Sequence, residues 1–421
     1  MRNGIRAVIM AGGKGTRIAS VDPTIPKPML LVCGKPILEH QIACLARQGI
    51  TDITLVTGHL GQIIEEHFRD TDKLDLPVNL KLSTYSETIP LGTAGALWFL
   101  KDSLPEDFLL INGDLIFDID FERFIHAHQA NSGEVTILTH SNDHPYDSGV
   151  IVSDEENRIQ QWMHKEDERL WYRNRVNSGV HILSPKIFDS FPNPGEKADL
   201  DRDILKPLIA SGGLYAYYST EYVKDAGTPE RLCDVEADIQ TGKVESRNLS
   251  RKQKAVFLDR DGTINRYVGF LRNIDDFELL DGAAEAIRRM NRIGYLVIVV
   301  TNQPIIARGE VDWEQLREIH NKMETLLGEK GAYVDDIFIC PHHPDQGFER
   351  ERPEYKMDCD CRKPKSGLLL QAAARYNIDL SQSWMVGDRE SDAAAGKNAG
   401  CKSVILGSEC KDLREFTDTR L

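Results

Sequence analysis

The sequence predicts an α/β protein of two domains, each built on a mostly parallel sheet. Short apolar runs end abruptly in glycines or carboxylates: Ala7-Val8-Ile9-Met10 and Phe108-Leu109-Leu110-Ile111 in the first half, Val256-Phe257-Leu258 and Trp384-Met385-Val386 in the second. Helical patterns separate such runs, and that alternation gives parallel sheets whose ligands lie beyond the carboxyl ends of the strands. At 421 residues the chain is long enough for two or three full cores. The polar, mixed-charge run 243–253 suits a linker, so the expected domains are 1–242 and 254–421.

In the first half, the strand at Ala7 breaks into Ala11-Gly12-Gly13-Lys14-Gly15-Thr16-Arg17. Three glycines let backbone N–H groups approach a phosphate chain closely, and Lys14 and Arg17 add charge. The spacing is neither that of a P-loop nor that of a dinucleotide fingerprint. Pro26-Lys27-Pro28 then fixes an ammonium between two stiff residues. Leu91-Gly92-Thr93-Ala94-Gly95 offers a close backbone approach and a hydroxyl, with Glu87 just upstream. Phe108 to Asp114 and Tyr222 to Asp225 read as strands that each end in a carboxylate, and Asp114 and Asp225 could share one magnesium on a nucleotide.

In the second half, Val256-Phe257-Leu258 runs into Asp259-Arg260-Asp261-Gly262-Thr263. One carboxylate of this D-x-D meets a substrate and the other handles protons, the chemistry of phosphoryl transfer to aspartate. Two acids so close resist ionising together, so Asp261 is expected to hold a proton near neutrality. The strand Leu296-Val297-Ile298-Val299-Val300 ends in Thr301-Asn302, a hydroxyl and an amide suited to phosphate oxygens. Cys361-Arg362-Lys363-Pro364 supplies cations, and the strand from Trp384 ends in Asp388. Asp259 and Asp388 together suit magnesium. Residues 313–330 read as a solvated helix around a buried stripe.

Cys340-Pro341-His342 and, sixteen residues on, Cys359-Asp360-Cys361 give two tight pairs of soft or borderline ligands, enough for a closed tetrahedral zinc site. The polar stretch between them lacks a period and needs such a staple. It leads into Arg362-Lys363, so the metal is read as orienting the lysine rather than taking part in chemistry. Cys33, Cys44, Cys233, Cys401 and Cys410 show no paired spacing and are read as core or surface thiols.

A net charge of −15 opposes nucleic-acid binding, which needs a basic surface. No apolar run approaches eighteen residues and no cleavable signal is apparent, so a cytoplasmic enzyme with no membrane segment is expected. Thiols that must stay reduced to hold zinc point the same way.

In their order, the N-terminal motifs resemble the sugar-1-phosphate nucleotidyltransferases, from Met1 to about Gly242. The resemblance implies a Rossmann-like sheet. Gly12, Gly13, Gly15, Thr16, Arg17 and Lys27 would cradle the triphosphate, Glu87, Thr93 and Ala94 would line the base pocket, and Asp114 and Asp225 would hold magnesium. Asn177 would contact the sugar and Lys165 its phosphate. His164 stands where that family commonly has a glutamate.

The C-terminal motifs resemble the haloacid dehalogenase superfamily of aspartyl-phosphate phosphatases, again Rossmann-like. The C-x-H…C-x-C-R-K-P loop is similar to that of its heptose-bisphosphate and histidinol-phosphatase branch. Thr301-Asn302-Gln303, Ala307-Arg308-Gly309 and Cys340-Pro341-His342-His343-Pro344 bring it nearer the heptose enzymes, although Pro304-Ile305 replaces a small residue and glycine. The resemblance implies Asp259 as nucleophile and Asp261 as general acid and base. Thr301, Asn302, Arg308 and Arg362 would bind phosphate and substrate, Lys363 would be the stabilising cation, and Asp259, Asp261 and Asp388 would surround magnesium. Joined in one chain, the halves imply removal of the 7-phosphate of a heptose bisphosphate, then nucleotidyl transfer to the 1-phosphate. Leu91 to Gly95 resembles guanylyltransferases for manno-configured sugars, which implies GTP. The competing expectations are a hexose 1-phosphate transferase joined to a histidinol phosphatase, or one half that only binds. Oligomeric state is not legible.

Overall fold

The computed structural model describes residues 4–13, 23–70, 74, 76, 79–131, 133–191, 193 and 195–421, and they form two compact units. Among these residues no helix is long and apolar enough to cross a membrane.

The first unit comprises Met1–Thr139, Ile151–Trp162 and Asn177–Asn248. Its sheet centres on Arg6–Met10, whose three middle residues are fully buried. That strand lies parallel to Asp52–Thr57 on one side and to Phe108–Asn112 on the other. Lys81–Ser86 extends the sheet in parallel beyond Asp52–Thr57, and Val176–Leu183 runs antiparallel to Phe108–Asn112. The parallel strands therefore deliver Gly12, Glu87 and Asp114 to the same sheet edge. A two-stranded ribbon pairs Leu115–Asp118 with Tyr222–Asp225 in a register that sets Asp225 opposite Leu115, so Asp225 arrives beside Asp114. Helix Ile37–Arg47 covers the sheet with Leu38, Ile42 and Leu45, a spacing of four and three residues that turns one apolar stripe inward.

The second unit comprises Leu249–Leu421 together with His140–Val150 and Met163–Val176. Its five strands are all parallel, in the order Asp336–Cys340, Leu296–Asn302, Ala255–Leu258, Trp384–Gly387, Lys402–Ile405. Near-continuous apolar strands of this kind are those of a sheet covered on both faces. The helix expected at 313–330 spans Trp313–Gly328; Asp312 and Gln315 close a capping box at its start, and Leu316, Ile319, Met323 and Leu327 form its buried stripe.

Two segments that the sequence assigns to the first half thus pack in the second unit. Arg173 and Arg175 reach the Asp336 carboxylate at 2.9 and 3.2 Å. Tyr376 donates its hydroxyl to the same group at 2.6 Å. The Asn174 N–H donates to Glu324 at 2.6 Å, and the Tyr172 N–H to the Thr325 hydroxyl at 3.0 Å. The run read as a linker also has structure. Lys243–Ser246 is a helical turn, Asn248 donates to Asp118 at 2.7 Å in the first unit, and Asn377 donates to the carbonyls of Leu249 and Arg251 in the second.

Candidate active sites

In the second unit the parallel strands bring Asp259, Thr301, Cys340 and Asp388 to one edge. Asp259 is nearly buried, and the Lys363 ammonium, itself buried, donates to it at 2.8 Å. Lys363 also pairs at 2.7 Å with Asp392, a residue absent from the sequence expectations. Asp392 lies in helix Glu390–Ala399, four residues beyond Asp388. That one-turn spacing after a strand-end aspartate was the available signal, hidden because an acid in a first helical turn is ordinary. Carboxylate oxygens of Asp259, Asp388 and Asp392 lie within 4.8 Å of one another and could hold a metal ion. One Asp388 oxygen is buried with no hydrogen-bond partner among the described residues, so a cation fits there. Gly262, at a φ of +84°, has only hydrogen on the side against which the Asp388 carboxylate packs, so the turn after the D-x-D requires glycine.

Asp261 is not in that acidic cluster. Arg260, whose side chain is fully buried, grips both its oxygens, and Asn265 and Gln303 donate at 3.0 and 2.9 Å. Burial pushes its carboxyl up, but the Arg260 charge and these donors outweigh burial and hold it below the usual range. Burial instead pushes Asp259 up to about 6, against the pull of Lys363. The expectation that the second acid of the D-x-D carries the raised pKa is therefore reversed, because Arg260 points back at its own neighbour.

Thr301 is buried and accepts from Gln303 at 2.9 Å. Asn302, expected on phosphate, uses its amide on Lys363: the oxygen accepts the Lys363 N–H and the nitrogen donates to the Lys363 carbonyl, both at 3.0 Å. Arg308 lies between the rings of Phe270 and Phe348, 4.4 and 4.5 Å from their centroids. Arg362 donates to the His342 carbonyl at 3.2 Å.

Cys340, His342, Cys359 and Cys361 converge as one group whose ligand atoms also lie within 4.8 Å. The sulfurs of Cys340 and Cys359 are 3.5 Å apart, and the Cys361 sulfur is 3.3 Å from His342 Nδ1. All three thiols are free. Burial, then the neighbouring thiol of Cys359, pushes Cys361 up to about 11, a cost that a bound cation would reverse. Four soft or borderline donors leave no open position.

In the first unit, Lys27 ion-pairs with Asp114, and Arg231, unforeseen from sequence, contacts both Asp225 oxygens at 3.0 Å. The Ala226 N–H donates to the Asp114 carbonyl at 2.9 Å, so the backbone segments that carry the two acids are held together. Glu87 accepts from the Leu91 N–H at 3.2 Å, and its other oxygen lies 2.8 Å from where a Cβ on residue 12 would stand, so Gly12 is what admits this carboxylate to the loop. Burial raises the Glu87 carboxyl. The Thr93 hydroxyl accepts from the Leu200 N–H at 2.7 Å, and Ala94 N–H donates to the Ala198 carbonyl at 3.1 Å. Asn177 Oδ1 is shared by the Gly179 N–H at 3.0 Å and the His181 ring at 3.1 Å. Gly13 stands exposed in the loop; Lys14, Gly15, Thr16 and Arg17 lie outside the described residues. Lys165 belongs to the second unit and Asn177 to the first.

Residues 6–242 match the nucleotidyl transferase family, and residues 360–417 match a haloacid-dehalogenase hydrolase-like family. A D-glycero-β-D-manno-heptose-1,7-bisphosphate 7-phosphatase of Pasteurella multocida is 44% identical over 163 residues, 39% of this chain and 86% of its own length. The HddC protein of Yersinia pseudotuberculosis is 29% identical, covering 56% of this chain and 100% of its own, with a TM-score of 0.49. A Bacillus anthracis protein described as a glucose-1-phosphate thymidylyltransferase shares the fold of the first half at 22% identity, covering 56% of this chain and 94% of its own, with a TM-score of 0.50.

Proposed function

Since the chain belongs to the nucleotidyl transferase family through residues 6–242 and to the D-glycero-β-D-manno-heptose-1,7-bisphosphate 7-phosphatase family through its C-terminal part, we propose that it performs two consecutive steps of nucleotide-heptose synthesis. The second unit removes the 7-phosphate of D-glycero-D-manno-heptose 1,7-bisphosphate, and the first unit couples the remaining 1-phosphate to a nucleotide. The observation that carries this reading is the presence in one chain of the Asp259–Lys363–Asp392 cluster and the Lys27–Asp114–Asp225 cluster. Removal of a 7-phosphate leaves an anomeric phosphate in place, and nucleotidyl transfer has use for one. Histidinol phosphate would give the transferase nothing to act on.

In the phosphatase, an Asp259 oxygen attacks phosphorus and the bond to the sugar O7 breaks. Asp261, once protonated, gives its proton to the departing oxygen. Water then attacks the phospho-aspartate, Asp261 takes its proton, and inorganic phosphate leaves. Lys363 offsets charge on the phosphoryl oxygens. Magnesium fits Asp259 and Asp388, with Asp392 in the same carboxylate cluster, and would neutralise the phosphoryl group. Zinc fits Cys340, His342, Cys359 and Cys361 and would fix the loop that carries Arg362 and Lys363.

In the transferase, the sugar 1-phosphate oxygen attacks the α-phosphorus of the nucleoside triphosphate and pyrophosphate leaves, with no covalent enzyme intermediate. Positioning and neutralisation supply the rate. Lys27 bears on the triphosphate; Asp114 and Asp225 are the acids a magnesium ion would use. The resemblance of Leu91 to Gly95 to guanylyltransferases supports GTP, hence GDP-heptose for surface glycan assembly. Nucleoside triphosphate substrates and the free thiols support a cytoplasmic place.

The test supplies heptose bisphosphate with each of the four nucleoside triphosphates and magnesium, then follows phosphate, pyrophosphate and nucleotide-sugar. Phosphate release followed by a GTP-dependent nucleotide-sugar is expected. Activation of hexose 1-phosphates alone, or indifference to the bisphosphate, defeats the heptose assignment.

A further inference from the structure

Helix Ile37–Arg47 is where the two charged groups of the transferase meet a common support. Lys27 opens a short 3-10 turn, Lys27–Met29. The Leu30 N–H that closes the turn donates to the Lys27 carbonyl at 3.1 Å, and the Leu30 carbonyl accepts the Ile37 N–H at 3.1 Å. The first residue of the helix thus holds the lysine's turn. One helical turn later comes Gln41, 1% exposed. Its amide nitrogen donates to the carbonyls of Asn112 at 2.9 Å and Leu115 at 2.8 Å. Those carbonyls flank Gly113-Asp114. The Gly113 N–H is fixed in turn to the Met10 carbonyl at 3.0 Å.

Two carbonyls can be met only by a donor, so the orientation of the Gln41 amide is settled by its partners. Its oxygen is left buried with no hydrogen-bond partner among the described residues. An apolar residue would spare that cost and an acid would repel both carbonyls. A neutral side chain with two N–H groups is what the turn demands, and burying its unused oxygen is what stability alone would avoid.

We propose that Gln41 is a positioning residue for nucleotidyl transfer: it fixes the Asn112–Leu115 turn so that Asp114 presents its carboxylate to the metal–nucleotide at a set place relative to Lys27. The proposal rests on the transferase reading of the first unit. Gln41 is buried, and the effect passes through two backbone carbonyls.

The experiment uses the full chain, whose phosphatase rate reports folding and concentration in the same tube. Q41M removes both donors at similar volume, and Q41H keeps a neutral ring N–H. Mn2+ is titrated by electron paramagnetic resonance into each protein with and without a non-hydrolysable GTP analogue, so that binding at the phosphatase acids is subtracted, and transfer is measured in parallel. Q41M is expected to bind the analogue-dependent Mn2+ about tenfold more weakly and to lose about 10- to 100-fold in transfer, the scale of a reacting group displaced by an ångström, with phosphatase unchanged and Q41H losing less. Wild-type Mn2+ affinity in Q41M, equal impairment of Q41M and Q41H, or parallel loss of phosphatase activity overturns it. If wild-type protein transfers no nucleotide from any triphosphate, the transferase reading fails, and the Mn2+ comparison still decides whether Gln41 shapes the Asp114 site.

Discussion

Asn302 and Lys363 are joined through the lysine's backbone on both sides: the Asn302 amide accepts from its N–H and donates to its carbonyl, each at 3.0 Å. The Lys363 ammonium at the other end of the side chain sits between Asp259 and Asp392. An amide at the end of one strand therefore sets where a cation from a distant loop arrives. The loop's other restraint is the Cys340–His342–Cys359–Cys361 group, to which Arg362 is tied through the His342 carbonyl.

Asn302→Asp should lower the phosphatase turnover more than it raises KM. It puts an oxygen against the Lys363 carbonyl, and the ammonium loses its alignment; misplacement by an ångström costs on the order of 100-fold. Asn302→Ala should do the same more mildly. Steady-state kinetics decide it. A rise in KM with turnover unchanged would return Asn302 to the phosphate-binding role that its place after Thr301 suggests.

The two chemistries should separate by mutation. Asp259→Asn removes the proposed nucleophile, so phosphatase turnover should vanish while nucleotidyl transfer continues; Asp114→Ala should do the reverse. Rapid quench with labelled substrate should trap phospho-protein in the wild type and none in Asp259→Asn. Near-normal phosphatase activity in Asp259→Asn rejects the nucleophile assignment.

Asp336 gives a dependence on pH. Burial pushes its carboxyl up, but Arg173, Arg175, Arg375 and the Tyr376 hydroxyl outweigh burial and hold it below the usual value. A group depressed in the folded state contributes stability that is present above its unfolded value of about 3.9 and is lost as pH falls through the folded one. Arg175→Met raises the folded value toward the unfolded one, so the acid-dependent loss should become smaller and finish at higher pH. At neutral pH the variant should lose about 3 kcal/mol, the lower end of the range for a broken buried pair, since other cations remain. Denaturant melts between pH 3 and 7 measure both. A fragment starting at residue 254 lacks Arg173 and Arg175 and should show the same weakness.

The strand-end residues were legible because an apolar run that stops at a carboxylate leaves a periodic signal. Asp259, Asp388 and Asp114 carry it. Asp392, Arg231 and Gln41 do not: each is one polar residue on an amphipathic helix, where the sequence pattern cannot tell a solvated side chain from one turned onto a site. The reversal at Asp261 has another origin. Adjacent acids raise one another in sequence logic, and the buried guanidinium of Arg260, with the Asn265 and Gln303 donors, overturns this locally. Nor does any local signal mark residues 163–176 for the second unit, since the Arg173 and Arg175 contacts to Asp336 span more than 150 positions.

Metal analysis should discriminate between the two groups of the second unit that could hold a cation. Three thiols and one imidazole suit a tightly held zinc, so elemental analysis of protein prepared without chelator should find one zinc per chain, with magnesium exchanging freely. Cys359→Ser replaces a soft ligand and loosens the loop that carries Arg362 and Lys363. Phosphatase turnover should fall with zinc content, excess magnesium should not restore it, and nucleotidyl transfer should persist. Zinc-free protein with full phosphatase activity would reduce the four residues to a cluster of ordinary thiols around a histidine, and Asn302 would then be the principal restraint on Lys363.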